Sequence, residues 1–313
     1  MIAFVLSGGG NYGAMQAGAL AALAEKGIKA DIIIGTSVGA LNGAMAAYDA
    51  SVEGMTNLDQ LWRNLSGDIL YPGGYPVALV RVTRGKPSLF SNRGIRAFLR
   101  QHLPKNAKTF ADLTAARLYV IATEIPSGQL RIFGEDPNDP LKDALLASAA
   151  LPPLHPPYPV GDKLYVDGSL AAKFPLKIAI EKGANVIYAL HIHHNPAEQP
   201  YDNSIVSLSR WSIAKLLHDL DEKELAWSKE HHPGLKLHYL QLNPEITLSA
   251  TDFNHSAELL ESGYKLTLDY LNNLPLPLKA KLNQAWHKFK ARITSPQSKG
   301  AGEQGGRGGV LRT

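Results

Sequence analysis

The chain has 313 residues, 45% of them apolar, and a formal net charge of +4. That length and apolar share suffice to bury a full core, and the absence of cysteine excludes disulfides. Half of the small positive charge comes from Lys299, Arg307 and Arg312 set against Glu303, so the rest carries too little basic excess for a nucleic-acid surface.

An apolar run at residues 2–6 reads as a first strand, and it leads through Ser7-Gly8-Gly9-Gly10-Asn11-Tyr12-Gly13 into a helical pattern at 14–26. Three consecutive glycines let backbone N–H groups face one point with no side chain in the way, and the following helix adds its positive end. Such a loop can hold an oxyanion or a phosphate. Gly8-x-Gly10-x-x-Gly13 also matches the dinucleotide fingerprint, which requires an acid at the end of the second strand, about twenty residues on. Here Asp31 opens that strand, Ile32-Ile33-Ile34, and its end carries Gly35-Thr36-Ser37-Val38-Gly39, so the dinucleotide reading fails.

Ser37 thus lies where a strand turns sharply into a helix at 40–50, the setting of a nucleophile elbow. Gly35 and Gly39 remove the Cβ atoms that would clash in so tight a turn. The stretch 61–90 mixes Trp62, Tyr71, Tyr75 and Phe90 with prolines and glycines; it suits a mobile flap or a packed loop equally. A helix at 95–101, a strand at 118–122 and a helix at 140–149 follow. The strand at 164–166 ends in Asp167-Gly168-Ser169. Asp-Gly is commonly just a turn, but beside an elbow serine an acid at a strand end is a candidate general base.

Beyond it the pattern gives a helix at 175–182, a strand at 186–192, a helix at 204–230, a strand at 237–242 and a helix at 256–273. Strands alternating with helices in the βαβ manner predict an α/β fold, three layers deep, with a mainly parallel central sheet. His191-Ile192-His193-His194 closes one strand, and alternation puts His191 and His193 on one face. No third metal ligand is evident in the neighbouring sequence, so structural or solvated roles are expected and no metal is assigned. His231-His232 reads as a solvated helix end.

The glycine loop, the elbow and the Asp-Gly motif, in this order, resemble the patatin-like phospholipase family, whose pattern is G-G-G-x-[RK]-G, G-x-S-x-G and D-G-[GA]. Leu89-Phe90-Ser91-Asn92, Val120-Ile121-Ala122-Thr123-Glu124 and Ala147-Ser148-Ala149-Ala150-Leu151-Pro152 also look like family blocks, so the likeness covers residues 1 to about 195. The resemblance implies a Ser/Asp dyad without histidine. Ser37 becomes the nucleophile, Asp167 the base, Gly8, Gly9, Gly10 and Gly13 the oxyanion loop, and Gly35, Gly39 and Gly168 its supports. Tyr12 stands where the family has a basic residue and Ser169 where it has glycine or alanine; Tyr12 leaves substrate preference open.

The resemblance implies a lipid ester substrate, lysophospholipid or phospholipid, hydrolysed through an acyl-enzyme without cofactor. An acyltransferase on the same elbow is the alternative within enzymes, although Thr36 occupies the place of the histidine usual in acyl-carrier transacylases. A catalytically silent lipid-binding protein is the alternative outside them. The N-terminus lacks signal-peptide character and the uncharged run 32–48 is too short and glycine-broken to span a bilayer, so a cytoplasmic protein is expected. The catalytic domain is expected to occupy 1–294, including an amphipathic helix carrying Leu278, Leu282, Trp286, Phe289 and Ile293 that either packs on the core or meets a membrane surface. A disordered glycine-rich tail is expected at 295–313.

Overall fold

In the computed structural model, residues 1–193 and 205–274 are described, and Met1–Leu271 form one compact unit. The expected amphipathic helix, the tail, the end of the domain at 294 and His194 lie outside the described residues. The chain runs through β1 (Ile2–Leu6), α1 (Gly13–Glu25), β2 (Ile32–Thr36), α2 (Val38–Tyr48), α3 (Val52–Asn64), α4 (Gly67–Leu70), α5 (Gly74–Thr83) and α6 (Arg93–His102). It continues with β3 (Arg117–Ile125), β4 (Leu130–Phe133), α7 (Leu141–Ser148), β5 (Tyr158–Val160), β6 (Lys163–Asp167), α8 (Ser169–Ala172) and α9 (Leu176–Glu181). β7 (Val186–Ile192), α10 (Ile205–His231), β8 (Lys236–Leu242) and α11 (Ser256–Asn272) complete it.

The sheet order is β5-β6-β3-β2-β1-β7-β8, with β4 also on β3. From β3 to β8 every pairing is parallel, whereas β4, β5 and β6 are antiparallel. The βαβ expectation therefore holds for five strands and fails at one edge. There Val160 and Lys163 close a two-residue hairpin over Gly161, at φ 63, and a hairpin can only be antiparallel.

Period-two alternation sends Phe4, Leu6, Ile33 and Leu118 into one core and Ala3, Val5, Ile32 and Ile121 into another, all buried. The first is covered by α1, α2, α3 and α7 through residues such as Leu20, Ala44, Leu58 and Leu145; the second by α9 and α10 through Leu176, Ile178 and Leu225. A sheet apolar on both faces needs a helical layer on each, which gives the three-layer α/β/α arrangement.

Residues 61–90 are mostly helical rather than an open flap. Trp62, Tyr71 and Phe90 are buried in an aromatic cluster with Phe253, while Tyr75 is exposed. The sequence reading gives no helix at 52–64, yet Ser51 caps α3 by accepting the Gly54 amide at 3.0 Å, and Met55, Leu58 and Trp62 recur at helical spacing.

α1 and α11 cross where Gly18 meets Gly263. A Cβ on Gly263 would lie 2.0 Å from the Met15 carbonyl oxygen, and one on Gly18 2.0 Å from that of Leu260. Backbone cannot yield as a side-chain end can, so Gly263→Ala should destabilise by about 1–3 kcal/mol, the range for overpacking. Urea unfolding checks this against Gly234→Ala, whose Cβ meets nothing within 4 Å. Equal midpoints for the two variants would refute the contact.

Candidate active site

β2 ends at Thr36, and Ser37 follows with φ 55 and ψ −122, the sole non-glycine positive φ among the described residues. Such a conformation costs about 1–3 kcal/mol and persists only where the surroundings over-determine it. Here they do. A Cβ on Gly35 would lie 2.5 Å from the Gly39 oxygen, and one on Gly39 2.3 Å from the Leu6 oxygen, so both must be glycine for α2 to start this close to β1. The Ser37 amide donates to Ser148 Oγ at 2.9 Å, and Thr36 Oγ1 donates to the Ala172 carbonyl at 2.9 Å. Ser37 itself stays partly exposed.

Asp167 reaches the same level of the sheet from the opposite direction. Thr36 pairs with Ile121 on the parallel β3, and Ala122, the next residue, pairs with Asp167 on the antiparallel β6. One strand therefore separates the end of β2 from the end of β6. Thr123 Oγ1 donates to the Asp167 carbonyl at 3.0 Å and the Asp167 amide to the Ala150 carbonyl at 3.0 Å. Gly168 must be glycine because a Cβ would lie 2.2 Å from the Ile121 oxygen.

The Asp167 side chain is fully buried. Its Oδ1 accepts the Ser169 amide at 2.8 Å, and among the described residues Oδ2 has no hydrogen-bond partner. Burial raises its pKa to about 6, with the Ser37 side chain the strongest of the groups holding it down, followed by Ser169. The Ser37 hydroxyl thus favours the ionised acid.

The glycine loop runs directly alongside. A Cβ on Gly8 would lie 3.5 Å from Ser37 Cβ and 2.4 Å from Ser169 Oγ. Two of the four glycines expected as oxyanion donors have other employment. The Gly8 amide donates to the Lys173 carbonyl at 3.1 Å, and the Gly13 amide bonds back to Gly10 and Asn11 within its own turn. Gly13 serves packing instead, since a Cβ would lie 2.2 Å from Val38 Cγ2. Among the described residues, the Gly9 and Gly10 amides bond to no other segment. Gly10 sits at φ 60 with open space where a Cβ would be, so its backbone angle, not crowding, calls for glycine.

Sequence patterns missed the buried scaffold that holds this loop. Gln16 Nε2 donates to the carbonyls of Ser7 and Leu190 at 2.9 and 3.1 Å, and its Oε1 accepts from Asn42 Nδ2 at 3.2 Å. Asn42 also donates to the Gly13 carbonyl at 2.9 Å and accepts from Trp62 Nε1 at 2.9 Å. Gln16 and Asn42 are each three residues beyond the last glycine of their motifs, Gly13 and Gly39, on the faces of α1 and α2 that meet; a polar residue among alanines is the available signal. Tyr12 OH donates to the Ile246 carbonyl at 3.1 Å and accepts the Leu248 amide at 2.6 Å, gripping the segment after β8.

Among the described residues no histidine hydrogen-bonds to Ser37 or Asp167. His191 and His193 share a face, with rings 5.7 Å apart, as alternation predicts. His191 is held by Tyr239 OH at 2.7 Å and Asp221 Oδ2 at 2.9 Å, and burial outweighs Asp221 to lower its pKa. Lys173 Nζ donates to the same Asp221 oxygen at 2.8 Å, completing a buried ion cluster behind Gly8. His155 stacks on Tyr71, where burial lowers its pKa to about 4.

The family model for patatin-like phospholipases matches residues 4–180, which includes the glycine loop, Ser37 and Asp167. Patatin-like phospholipase domain-containing protein 7 of Mus musculus is 30% identical over 208 residues, covering 61% of this chain and 13% of that protein. Lysophospholipase nte1 of Aspergillus terreus is 28% identical over 314 residues, 89% of this chain and 19% of its own length. This chain thus spans under a fifth of these curated relatives. VipD from Legionella pneumophila, a crystal structure, superposes with a TM-score of 0.46 at 15% identity, over 86% of this chain and 66% of that one. With more than half of its residues matched by the family model, and all three motifs inside the match, the chain belongs to the patatin-like phospholipase family.

Proposed function

We propose that this chain is a serine acyl hydrolase for lipid esters, with lysophospholipid or phospholipid as substrate class and water as acceptor. The observation that carries this reading is Ser37 at a positive-φ elbow acting on a fully buried Asp167 whose Oδ2 has no hydrogen-bond partner. The Aspergillus relative's name, lysophospholipase, supports the same class.

Asp167 accepts the Ser37 proton as Oγ attacks the acyl carbonyl carbon and the carbonyl π electrons move onto oxygen. The amides of Gly9 and Gly10, the two in the loop not bonded to other segments, meet that oxyanion. Collapse breaks the ester bond; the departing alkoxide takes the proton from Asp167 and leaves the acyl group on Ser37. Water repeats the sequence with Asp167 again as base and releases the fatty acid. Backbone donors and one carboxylate supply every step, so none calls for a metal or cofactor.

The surface offered to lipid in this reading is α5, where Tyr75, Leu79 and Val82 are more than half exposed and Arg84 and Lys86 follow. The chain after it is tied beside the acid: the amides of Leu89 and Phe90 donate to the carbonyls of Pro153 and Leu154, just beyond Ala150, which accepts the Asp167 amide. An apolar helix face flanked by cations suits transient contact with anionic headgroups. No helix among the described residues is long and apolar enough to cross a membrane.

Ser37→Ala and Asp167→Asn should each nearly abolish hydrolysis of p-nitrophenyl acyl esters, and the double variant should be little worse than either, because the two act as one unit. Strictly additive losses would argue against the dyad.

The acidity of Asp167 sets two pH effects. The base must be ionised, so kcat/KM should rise with pH through an apparent pKa of about 6 and then level. A profile flat from about pH 5 to 8 would contradict that. For stability, the raised pKa penalises the fold once the acid ionises: nothing below 3.8, where it is protonated in both states, growing to roughly 3 kcal/mol above about 6. Asp167→Asn should therefore raise the thermal midpoint at neutral pH and leave it nearly unchanged below about pH 4, and a lowered neutral midpoint would reverse the sign.

Gly10→Ala tests the loop. With space for the methyl but an unfavourable φ, the expected outcome is a soluble, folded enzyme whose turnover falls by about 100- to 1000-fold, the range for a lost oxyanion donor. Nucleotide affinity in the wild type, abolished by the same change, would return the loop to phosphate binding.

A further inference from the structure

His193 follows the last residue of β7, and its ring lies 5.1 Å from that of His218 on α10. Glu222 stands one helical turn beyond His218, so both project from the same face of that helix. One ligand atom from each of His193, His218 and Glu222 lies within 4.8 Å of the other two. Ligand atoms around a tetrahedral zinc ion, at about 2.0–2.2 Å from the metal, are about 3.4 Å apart, so side-chain shifts of roughly 1 Å would close the set. Among the described residues, buried His193 Nδ1 has no hydrogen-bond partner, and the acyl chemistry does not use it. The histidine pair noted in the sequence is thus divided by the structure: His191 is engaged with Asp221 and Tyr239, and His193 finds its companions on a helix distant in sequence.

We propose that His193, His218 and Glu222 form a binding site for a divalent transition ion of the zinc class, with the remaining position open to water. Two imidazoles with one carboxylate favour such an ion over calcium or magnesium, which take oxygen donors. The His191 ring packs edge-on to that of His193, and Asp221, between the two helix ligands, holds both His191 and Lys173. None of the three residues hydrogen-bonds to Ser37 or Asp167 among the described residues, and the role of the site is a brace. Ile192 fills the space beside Gly9, where a Cβ would lie 2.5 Å from its Cδ1, and its amide donates to Ser7 Oγ at 2.8 Å. An ion on the next residue ties that wall of the glycine loop to α10 at the point where Asp221 secures Lys173, whose carbonyl receives the Gly8 amide. This inference does not depend on the hydrolase reading.

The test uses the full chain, freed of metal by chelator and titrated with Zn2+ and, for its visible spectrum, Co2+. One equivalent should bind saturably, Co2+ should show the intense bands of a four-coordinate site, and Zn2+ should raise the thermal midpoint. His193→Ala, His218→Ala and Glu222→Gln should each weaken binding by at least the about 10- to 100-fold that loss of a mere supporting group produces. Glu222 is exposed, so its variant should fold normally, and His231→Ala, at the end of the same helix, should bind as wild type. Ester hydrolysis should persist in chelator. Absence of one-equivalent binding, or weak binding shared equally by all the variants as for an adventitious ion, would overturn the site. Loss of hydrolysis on chelation would overturn its role as a brace.

Discussion

The close approach of α2 to the end of β1 is the contact on which the rest of the site depends. With no Cβ on Gly39, its backbone can sit against the carbonyls of Leu6 and Ser7, at the point where the glycine loop begins. Any side chain there would push the helix away, and with it the elbow that starts the helix. Because α2 begins at Val38, holding its first turn against β1 holds Ser37 beside Gly8, and the nucleophile and the loop become neighbours through backbone alone.

That arrangement is costly and is stabilised from several sides. A serine at φ 55 and a carboxylic acid with no exposure both oppose folding. Each is fixed by bonds from separate elements: Ser148 on α7 and Ala172 on α8 hold the elbow, and Ala150, Thr123 and Ser169 hold the acid. Gln16, Asn42 and Trp62 then link α1, α2 and α3 beneath the loop in one hydrogen-bonded chain. Strain and burial survive here because the donors and acceptors around them are nearly all satisfied, leaving Asp167 Oδ2 as the conspicuous exception, on the acid that Ser37 acts upon.

Both departures from the family pattern have a physical use. Tyr12 replaces a cation with a hydroxyl that bridges Ile246 and Leu248, so the loop is anchored by hydrogen bonds rather than charge. Asn11 adds bonds to the carbonyls of Ser249 and Asp252 at 3.0 and 2.6 Å. Ser169 gives Asp167 an amide contact and a hydroxyl that both favour its ionised form, offsetting part of the burial penalty. The first residue grips a distant segment and the second tunes the acid.

The amino-acid sequence by itself determined whatever depends on neighbours along the chain. The strand at 2–6 is an unbroken apolar run and the one at 186–192 is interrupted only by His191, and the turn at Ser37 is announced by two glycines four residues apart. The three-layer arrangement follows from strands apolar on both faces. Only the tertiary structure decided what depends on register and on partners far along the chain. β4 and β5 are too short for a pattern to distinguish, and the reversal of β6, which brings Asp167 level with Ser37, comes from a hairpin rather than from composition. Gly8 and Gly13 look alike in the motif as donors, yet one amide is taken by Lys173 and the other by its own turn. His193 shows no third ligand nearby in sequence because its companions lie 25 and 29 residues on, brought back by a helix that covers the sheet. A hydrogen-bond donor has the same letter whether it is occupied or not, and only packing fixes which acceptor reaches it.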